Sequence, residues 1–90
     1  MNTIRVKYRA RLAALAGVAE ETLESGPQGP AANVEDVLRF IRERHGREAE
    51  KEARTMLIAL NGESILLLKR YKTALKEGDV VSFFPLCAGG

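Results

Sequence analysis

The chain of 90 residues has little of what several classes of protein require. Its one cysteine cannot form an internal disulfide, and its one histidine stands with no pair of carboxylates in a recognisable catalytic setting. No apolar run approaches about 18 residues and no leader peptide is evident, so we expect neither a membrane partner nor secretion. With a net charge of +2 and no block of about five like charges, we expect no nucleic acid partner. These absences favour a cytoplasmic protein.

What the chain has is the composition of an ordinary globular domain, with 46% hydrophobic and 29% charged residues. This composition excludes disorder over most of the length. A chain of 90 residues can build one modest core but not two, so one compact unit must perform the function.

Three short elements are predicted near the N-terminus. Strict alternation over Ile4–Ala10 predicts a half-buried strand whose basic residues, Arg9 included, face away from the core. The stretch Arg11–Ala16 is rich in alanine and leucine and is closed by Gly17, which is typical of one or two helical turns. A second strand is predicted over Val18–Leu23.

One long helix is predicted in the middle of the chain, after a loop over Ser25–Pro30. Asn33 is a candidate N-cap, with Asp36 three residues further on. Its apolar face consists of Val34, Val37, Leu38 and Ile41. The helix is expected to end at Gly46, where His45 stands in a position that favours capping over proton transfer.

A hairpin is predicted after a charged stretch of undecided structure. Arg47–Arg54 is compatible with an exposed helical turn or with a loop. Met56–Leu60 has the apolar pattern of a strand, and the Asn61-Gly62 pair is a strong hairpin signal that leads into a partner strand over Glu63–Leu68.

The last strand decides the fold class. A turn over Ala74–Asp79 precedes a strand over Val80–Phe84, which Pro85 terminates. This strand can lie parallel beside the first one, which gives an α+β protein with a mixed sheet of four to five strands and one main helix on one face. That arrangement is the β-grasp, or ubiquitin-like, fold. We expect residues 1–85 to form this domain and residues 86–90 to form a flexible tail.

The chain ends on Gly89 and Gly90, which no helix or strand needs at a free end. Because glycine has no Cβ, such an end can lie extended in a slot too narrow for any other residue and present its carboxylate inside. The other interpretation is a frayed end without function.

The sequence resembles the small subunit of molybdopterin synthase and the related ubiquitin-like sulfur carriers. The resemblance extends over nearly the whole chain, and its specific part is the C-terminal sequence from Phe83 to Gly90. It is carried by Val6 to Leu12, Leu15 to Gly17, Leu60 to Gly62, Thr73 to Val81, Phe83 to Pro85 and Ala88 to Gly90.

This resemblance implies a carrier without catalytic residues or a bound cofactor of its own. An adenylating enzyme of the ubiquitin-activating type would use ATP to activate Gly90, and a sulfur nucleophile would then leave a thiocarboxylate there. The tail would enter the large subunit of molybdopterin synthase, in a heterotetramer, and donate sulfur for molybdenum or tungsten cofactor synthesis. The tail residues for this binding are Pro85, Leu86, Cys87, Ala88 and Gly89.

The sequence departs from the family at the expected partner interface. Arg9 and Ser64 stand where relatives often have an aromatic and an apolar residue, while Phe84 is kept. Alternation places Arg9 and Phe84 on the open face of the sheet, which is interpreted either as a solvated face or as an altered partner surface. Cys87 either fills the tail slot as a small apolar residue or acts chemically, through a thioester or persulfide.

Three functions stay open on these grounds. The first is the molybdopterin synthase small subunit. The second is a sulfur carrier for thiazole, cysteine or tRNA thiolation. The third is a ubiquitin-like modifier whose Gly90 becomes bonded to lysines of target proteins.

Overall fold

A computed structural model of the chain describes residues 2–25 and 33–86. Within these ranges the chain forms five strands, three α-helices and two short 3-10 turns. The α-helices and strands are β1 (Asn2–Lys7), α1 (Ala10–Ala16), β2 (Glu20–Ser25), α2 (Val34–His45), α3 (Arg47–Arg54), β3 (Leu57–Leu60), β4 (Glu63–Ser64) and β5 (Val80–Phe84). The first 3-10 turn is Ile65–Leu67 and the second is Arg70–Lys72.

The five strands form one mixed sheet in the order β2-β1-β5-β3-β4. β5 lies in the centre, parallel to β1 and antiparallel to β3, while β2 and β4 form the edges. The predicted return of the last strand beside the first is therefore confirmed, and with it the β-grasp fold. Pro85 follows β5 directly, as predicted.

The helix α2 packs on one face of this sheet and closes the core. Asn33 begins it with a capping box, since its side chain accepts a hydrogen bond from the Asp36 amide and the Asp36 carboxylate accepts one from the Asn33 amide. The fully buried side chains come from both layers and from α1: Ile4, Val6, Leu12, Val34, Val37, Leu38, Ile41, Val81 and Phe83. The predicted cap and apolar face are thus confirmed.

The charged stretch Arg47–Arg54, left undecided from sequence, is the helix α3. Its small residues Ala49 and Ala53 are buried in the core. Its charged side has the predicted pair four residues apart, with Arg54 Nη2 at 2.9 Å from the Glu50 carboxylate. An isolated helix of this length is marginal in water, so packing against α2 is what stabilises it.

Two strand predictions in the first part of the chain were wrong in their bounds. β1 ends at Lys7 instead of Ala10, because Ala10 takes a φ of 55° and begins α1. β2 begins two residues later than predicted, because Gly17, at φ 79°, ends α1 and leaves Val18 exposed in the turn. The remainder of the predicted loop after Ser25 lies outside the described residues.

The predicted strand over Glu63–Leu68 was wrong beyond its first two residues. β4 pairs with β3 over only Glu63 and Ser64. The Ser64 side chain then accepts a hydrogen bond from the Leu66 amide at 3.2 Å and turns the chain into the first 3-10 turn. Ile65 is buried, whereas Leu66, Leu67 and Leu68 are exposed.

Candidate functional site: the open sheet face and the start of the tail

The face of the sheet opposite α2 has a defined row of outward residues. Val81 and Phe83 of β5 are buried, so Ser82 and Phe84 point to the other side. Lys7 of β1 pairs with Ser82, and Leu57 of β3 pairs with Phe84. Alternation along the central strand therefore places Phe84 on the open face, one residue before the chain leaves the sheet.

Arg9 and Phe84 are brought together although 75 positions separate them in the sequence. The guanidinium carbon of Arg9 lies 5.1 Å from the centre of the Phe84 ring, within the range of a cation–π contact. Arg9 precedes α1 in an extended conformation, and its side chain makes no capping hydrogen bond. It is therefore free to cover the aromatic ring.

Ser64 lies on the same face but apart from this pair. It pairs with Ala59, which in turn pairs with Ser82, so Ser64 stands two strands away from β5. Its hydroxyl group caps the first 3-10 turn, a structural contact that sequence reasoning did not foresee. The structure thus places two of the three predicted interface residues, Arg9 and Phe84, in contact with each other.

The charges near Phe84 are only partly neutralised. Arg5 Nε lies 3.0 Å from the Glu20 carboxylate, with both side chains about half exposed. In the described ranges no carboxylate lies within salt-bridge distance of Lys7 or Arg9. Within this part of the chain the open face therefore has the Phe84 ring beside Arg9, and neither Arg9 nor Lys7 forms a salt bridge.

The Glu21 carboxylate on β2 joins Tyr8, which follows β1, to the last residues of α2. Glu21 accepts a hydrogen bond from the Tyr8 hydroxyl and lies at 2.5 Å from His45 Nε2, and Arg44 Nε is 3.1 Å from its other oxygen. The expectation that His45 caps its own helix was wrong, because its ring reaches across to β2. The Tyr8 ring contacts both His45 and Phe83.

The pKa values of this cluster move in opposite directions. Burial, with the hydrogen bond to Glu21 and the charge of that carboxylate, raises the pKa of Tyr8 well above its ordinary value. Burial also acts to raise the pKa of Glu21, but hydrogen bonds from Tyr8 and His45 and the charges of His45 and Arg44 outweigh it and lower that pKa. Glu21 therefore stays ionised at neutral pH and holds Tyr8 as a hydrogen-bond donor.

The start of the tail lies beside an apolar groove. Pro85 and Leu86 are exposed, and Leu86 lines a groove of about 250 Å³ together with Met56, Ile58, Ile65, Leu66 and Tyr71. Sequence reasoning missed this groove, although three consecutive leucines after a hairpin turn gave a signal for it. The predicted tail residues Cys87, Ala88, Gly89 and Gly90 lie outside the described residues.

Residues 2–25 and 33–86 contain neither a metal-binding cluster nor a membrane-spanning helix. No group of three or more histidine, cysteine, aspartate or glutamate residues there is placed to hold a metal ion. None of the helices in those ranges is both long and apolar enough to span a bilayer.

Comparison with known proteins agrees with this architecture. Residues 6–90 match the model of the ThiS family. A molybdopterin synthase sulfur carrier subunit from Chlamydomonas reinhardtii is 37% identical over 87 residues, which cover 97% of this chain and 98% of that protein.

Two solved structures extend the similarity to three dimensions. Molybdopterin converting factor subunit 1 from Pyrococcus furiosus is 36% identical, with a TM-score of 0.73 over 94% of this chain and 98% of that one. The small archaeal modifier protein 1 from Methanosarcina acetivorans is 27% identical, with a TM-score of 0.77 over 100% of this chain and 98% of that one. On the extent of the family match and the identity to these relatives, the chain belongs to the ThiS family.

Proposed function

We propose that this chain is the sulfur carrier subunit of molybdopterin synthase and bears sulfur as a thiocarboxylate on Gly90. The observation that carries this function is the family match through residue 90, together with 37% identity to a relative with that name. The chain is then a carried reagent rather than an enzyme. The groups that catalyse each step belong to its partners.

Sulfur loading requires activation of the Gly90 carboxylate, because direct attack on a carboxylate would have to expel oxide. In an adenylating enzyme of the ubiquitin-activating type, a carboxylate oxygen attacks the α-phosphorus of ATP and pyrophosphate leaves. A sulfur nucleophile at the oxidation level of hydrosulfide then adds to the carbonyl carbon, and AMP leaves with the bonding electrons. Because this activation consumes ATP, we place the protein in the cytoplasm.

The position of β5 supports delivery of the tail to a second protein. β5 is the central strand of the sheet, and its buried Val81 and Phe83 anchor the point from which the tail departs. Phe84 is the last residue of β5 and Arg9 contacts its ring, so both side chains lie beside the point where the tail leaves the sheet. We propose that this second protein is the large subunit of molybdopterin synthase, in a heterotetramer.

Deletion of Gly90 tests the assignment. ATP–pyrophosphate exchange with the adenylating enzyme should be abolished, while circular dichroism stays unchanged because the described core ends at β5. Exchange that survives the deletion would refute the role of Gly90. Intact mass spectrometry of the parent from its own host should show one oxygen replaced by sulfur.

Cys87→Ser separates the two interpretations of that residue. If Cys87 only fills the tail slot, thiocarboxylate formation should continue nearly unchanged. If adenylation continues but sulfur loading is lost, Cys87 takes part in the chemistry.

A second candidate function is protein modification, favoured by the similarity to a small archaeal modifier protein. A ladder of conjugates that contain this chain in host extracts, absent after deletion of Gly90, would establish it. Because Arg9 and Ser64 alter the expected partner surface, the sulfur acceptor in a variant of the first function is a thiazole, cysteine or tRNA pathway. Identification of the thiolated product distinguishes these acceptors.

A further inference from the structure

The segment after β4 presents aliphatic side chains to solvent without an evident structural reason. Leu66 is 61% exposed and Leu67 is 75% exposed, and Leu68 and Leu86 are exposed beside them. Single exposed leucines are common, but a contiguous group of this kind marks an interaction surface on a small protein. Alternation in the predicted strand would have placed Leu67 on the same face as the buried Ile65, so the exposure of Leu67 follows from the 3-10 turn.

Two of these leucines, Leu66 and Leu86, line the groove described above, and its wall is made of packed side chains. Met56, Ile58 and Ile65 are buried and line its interior. On one side Tyr71 lies under the Arg54 guanidinium, whose carbon is 5.3 Å from the ring centre. Arg54 is itself held by the carboxylates of Glu35 and Glu50, at 2.7 Å and 2.9 Å. The groove is therefore held in shape by ion pairs.

The outer rim of the groove is basic. Arg70 lines it, and Lys69 and Lys72, which are within two residues of Arg70 in the sequence, are exposed. Throughout the described part of the chain, no carboxylate lies within salt-bridge distance of these three cations. The surface thus combines an apolar depression with cations that have no acidic partner.

We propose that this leucine-lined groove docks the protein that accepts sulfur from the tail, through an apolar anchor side chain flanked by carboxylates. The assignment rests on the proposed function, since the tail defines the acceptor. Leu86 lines the groove and is followed directly by Cys87, so a protein bound to the tail is already adjacent. Charge complementarity with Lys69, Arg70 and Lys72 calls for acidic residues around the anchor.

The same features disfavour two other occupants. A bilayer offers a broad surface, whereas a depression of about 250 Å³ fits an inserted side chain. A second copy of the chain docked through the same patch would bring two sets of the three rim cations together. The anchored acidic segment satisfies both the shape and the charge.

The test measures affinity for the large subunit of molybdopterin synthase from the same host by titration calorimetry. Leu66→Ser should weaken binding at least about tenfold, as expected for a central apolar contact. Val18→Ser is the matched control, since Val18 is 42% exposed in the turn before β2, and its affinity should stay within about twofold. Arg70→Gln should slow association in a salt-dependent way, whereas Lys51→Gln on the exposed side of α3 should not.

The outcomes separate this proposal from the function on which it rests. Absence of a thiocarboxylate on the parent protein would refute the proposed function itself. A loaded parent that does not bind the large subunit would likewise refute the assignment to molybdopterin synthase. A loaded parent that binds the large subunit no better than Leu66→Ser does overturns the groove as its docking site. Binding to phosphatidylglycerol–phosphatidylcholine vesicles that Leu66→Ser abolishes would overturn it in favour of a membrane. Self-association that Leu66→Ser abolishes would overturn it in favour of a second copy.

Discussion

Neutralising Glu21 tests the cluster that its carboxylate forms with Tyr8, Arg44 and His45. Glu21→Gln and Glu20→Gln remove the same charge from adjacent positions of β2 in different surroundings. The Glu21 side chain is 13% exposed and faces three donors, whereas the Glu20 side chain is 44% exposed and pairs with Arg5 in solvent. The second variant is therefore a matched control for the first.

The expected losses differ because of those surroundings. Hydrogen bonds to a charged group contribute about 1.5–3 kcal/mol, and glutamine presents an amide donor to groups that are donors themselves. We expect Glu21→Gln to lower the free energy of unfolding by about 2 kcal/mol, and Glu20→Gln by less than about 0.5 kcal/mol. For a chain of this size, the loss for Glu21→Gln corresponds to a fall in Tm of roughly 8–16 °C. The loss for Glu20→Gln corresponds to a fall of less than about 4 °C.

The pH dependence adds an independent check. Folding lowers the pKa of Glu21 from its ordinary value of 4.5, so its stabilisation is present above that pH and is lost as the pH falls through the lowered pKa. Thermal unfolding followed by circular dichroism at neutral and strongly acidic pH measures both effects. Equal Tm values for the two variants at neutral pH would refute the reasoning. So would a Tm difference between the parent and Glu21→Gln that is as large in strong acid as at neutral pH.

Three further predictions concern the core, the helix cap and the open face. Phe83→Ala should cost about 3–5 kcal/mol of stability because Phe83 is fully buried, whereas Phe84→Ala should cost far less and instead weaken large-subunit binding by about 2 kcal/mol or more. Denaturant unfolding and calorimetry measure the two. Asn33→Ala should cost about 1 kcal/mol by removing half of the capping box, and an unchanged denaturation midpoint would contradict that. Arg9→Glu should slow association with an acidic partner at low salt but not at high salt. If stopped-flow rates of Arg9→Glu and the parent are equal at both salt concentrations, Arg9 is a solvated charge without a role in association.

The elements predicted well from sequence are those with local causes. α2 has its cap in Asn33 and its apolar face in one periodic stretch, so no distant contact was needed to find it. In the central strand β5, assigning Val81 and Phe83 to the core was enough to place Phe84 outward, because neighbouring side chains of a strand point to opposite faces. By contrast, α3 depends on burial of Ala49 and Ala53 against α2, which an eight-residue charged segment does not reveal by itself.

The wrongly predicted strand and the groove missed from sequence both depend on contacts within the folded chain rather than on local sequence. Leucine-rich composition after a hairpin turn indicates a strand, but the Ser64 hydroxyl and burial of Ile65 turn the chain away after two residues. That turn creates the groove, so a wrong strand prediction concealed it. The contact between Arg9 and Phe84 likewise required parallel pairing of β1 with β5, because alternation gives the face of each residue but not the distance between them. The prediction that the C-terminal tail binds a partner and bears sulfur on Gly90 stays a prediction.

The placement of surfaces around β5 explains how so small a chain can present a reactive end with precision. Val81 and Phe83 anchor the central strand in the core, and the tail leaves the sheet directly after this strand. Phe84, covered by Arg9, lies on the open face, while Leu86 lines the groove beside the 3-10 turns. A partner that contacts both would hold the chain on two sides of the tail, so that only the last few residues remain to be positioned. Favourable contacts of Phe84 and the groove would then offset the entropy cost of placing Gly90, which is the physical advantage of attaching sulfur to a folded carrier rather than to a free peptide.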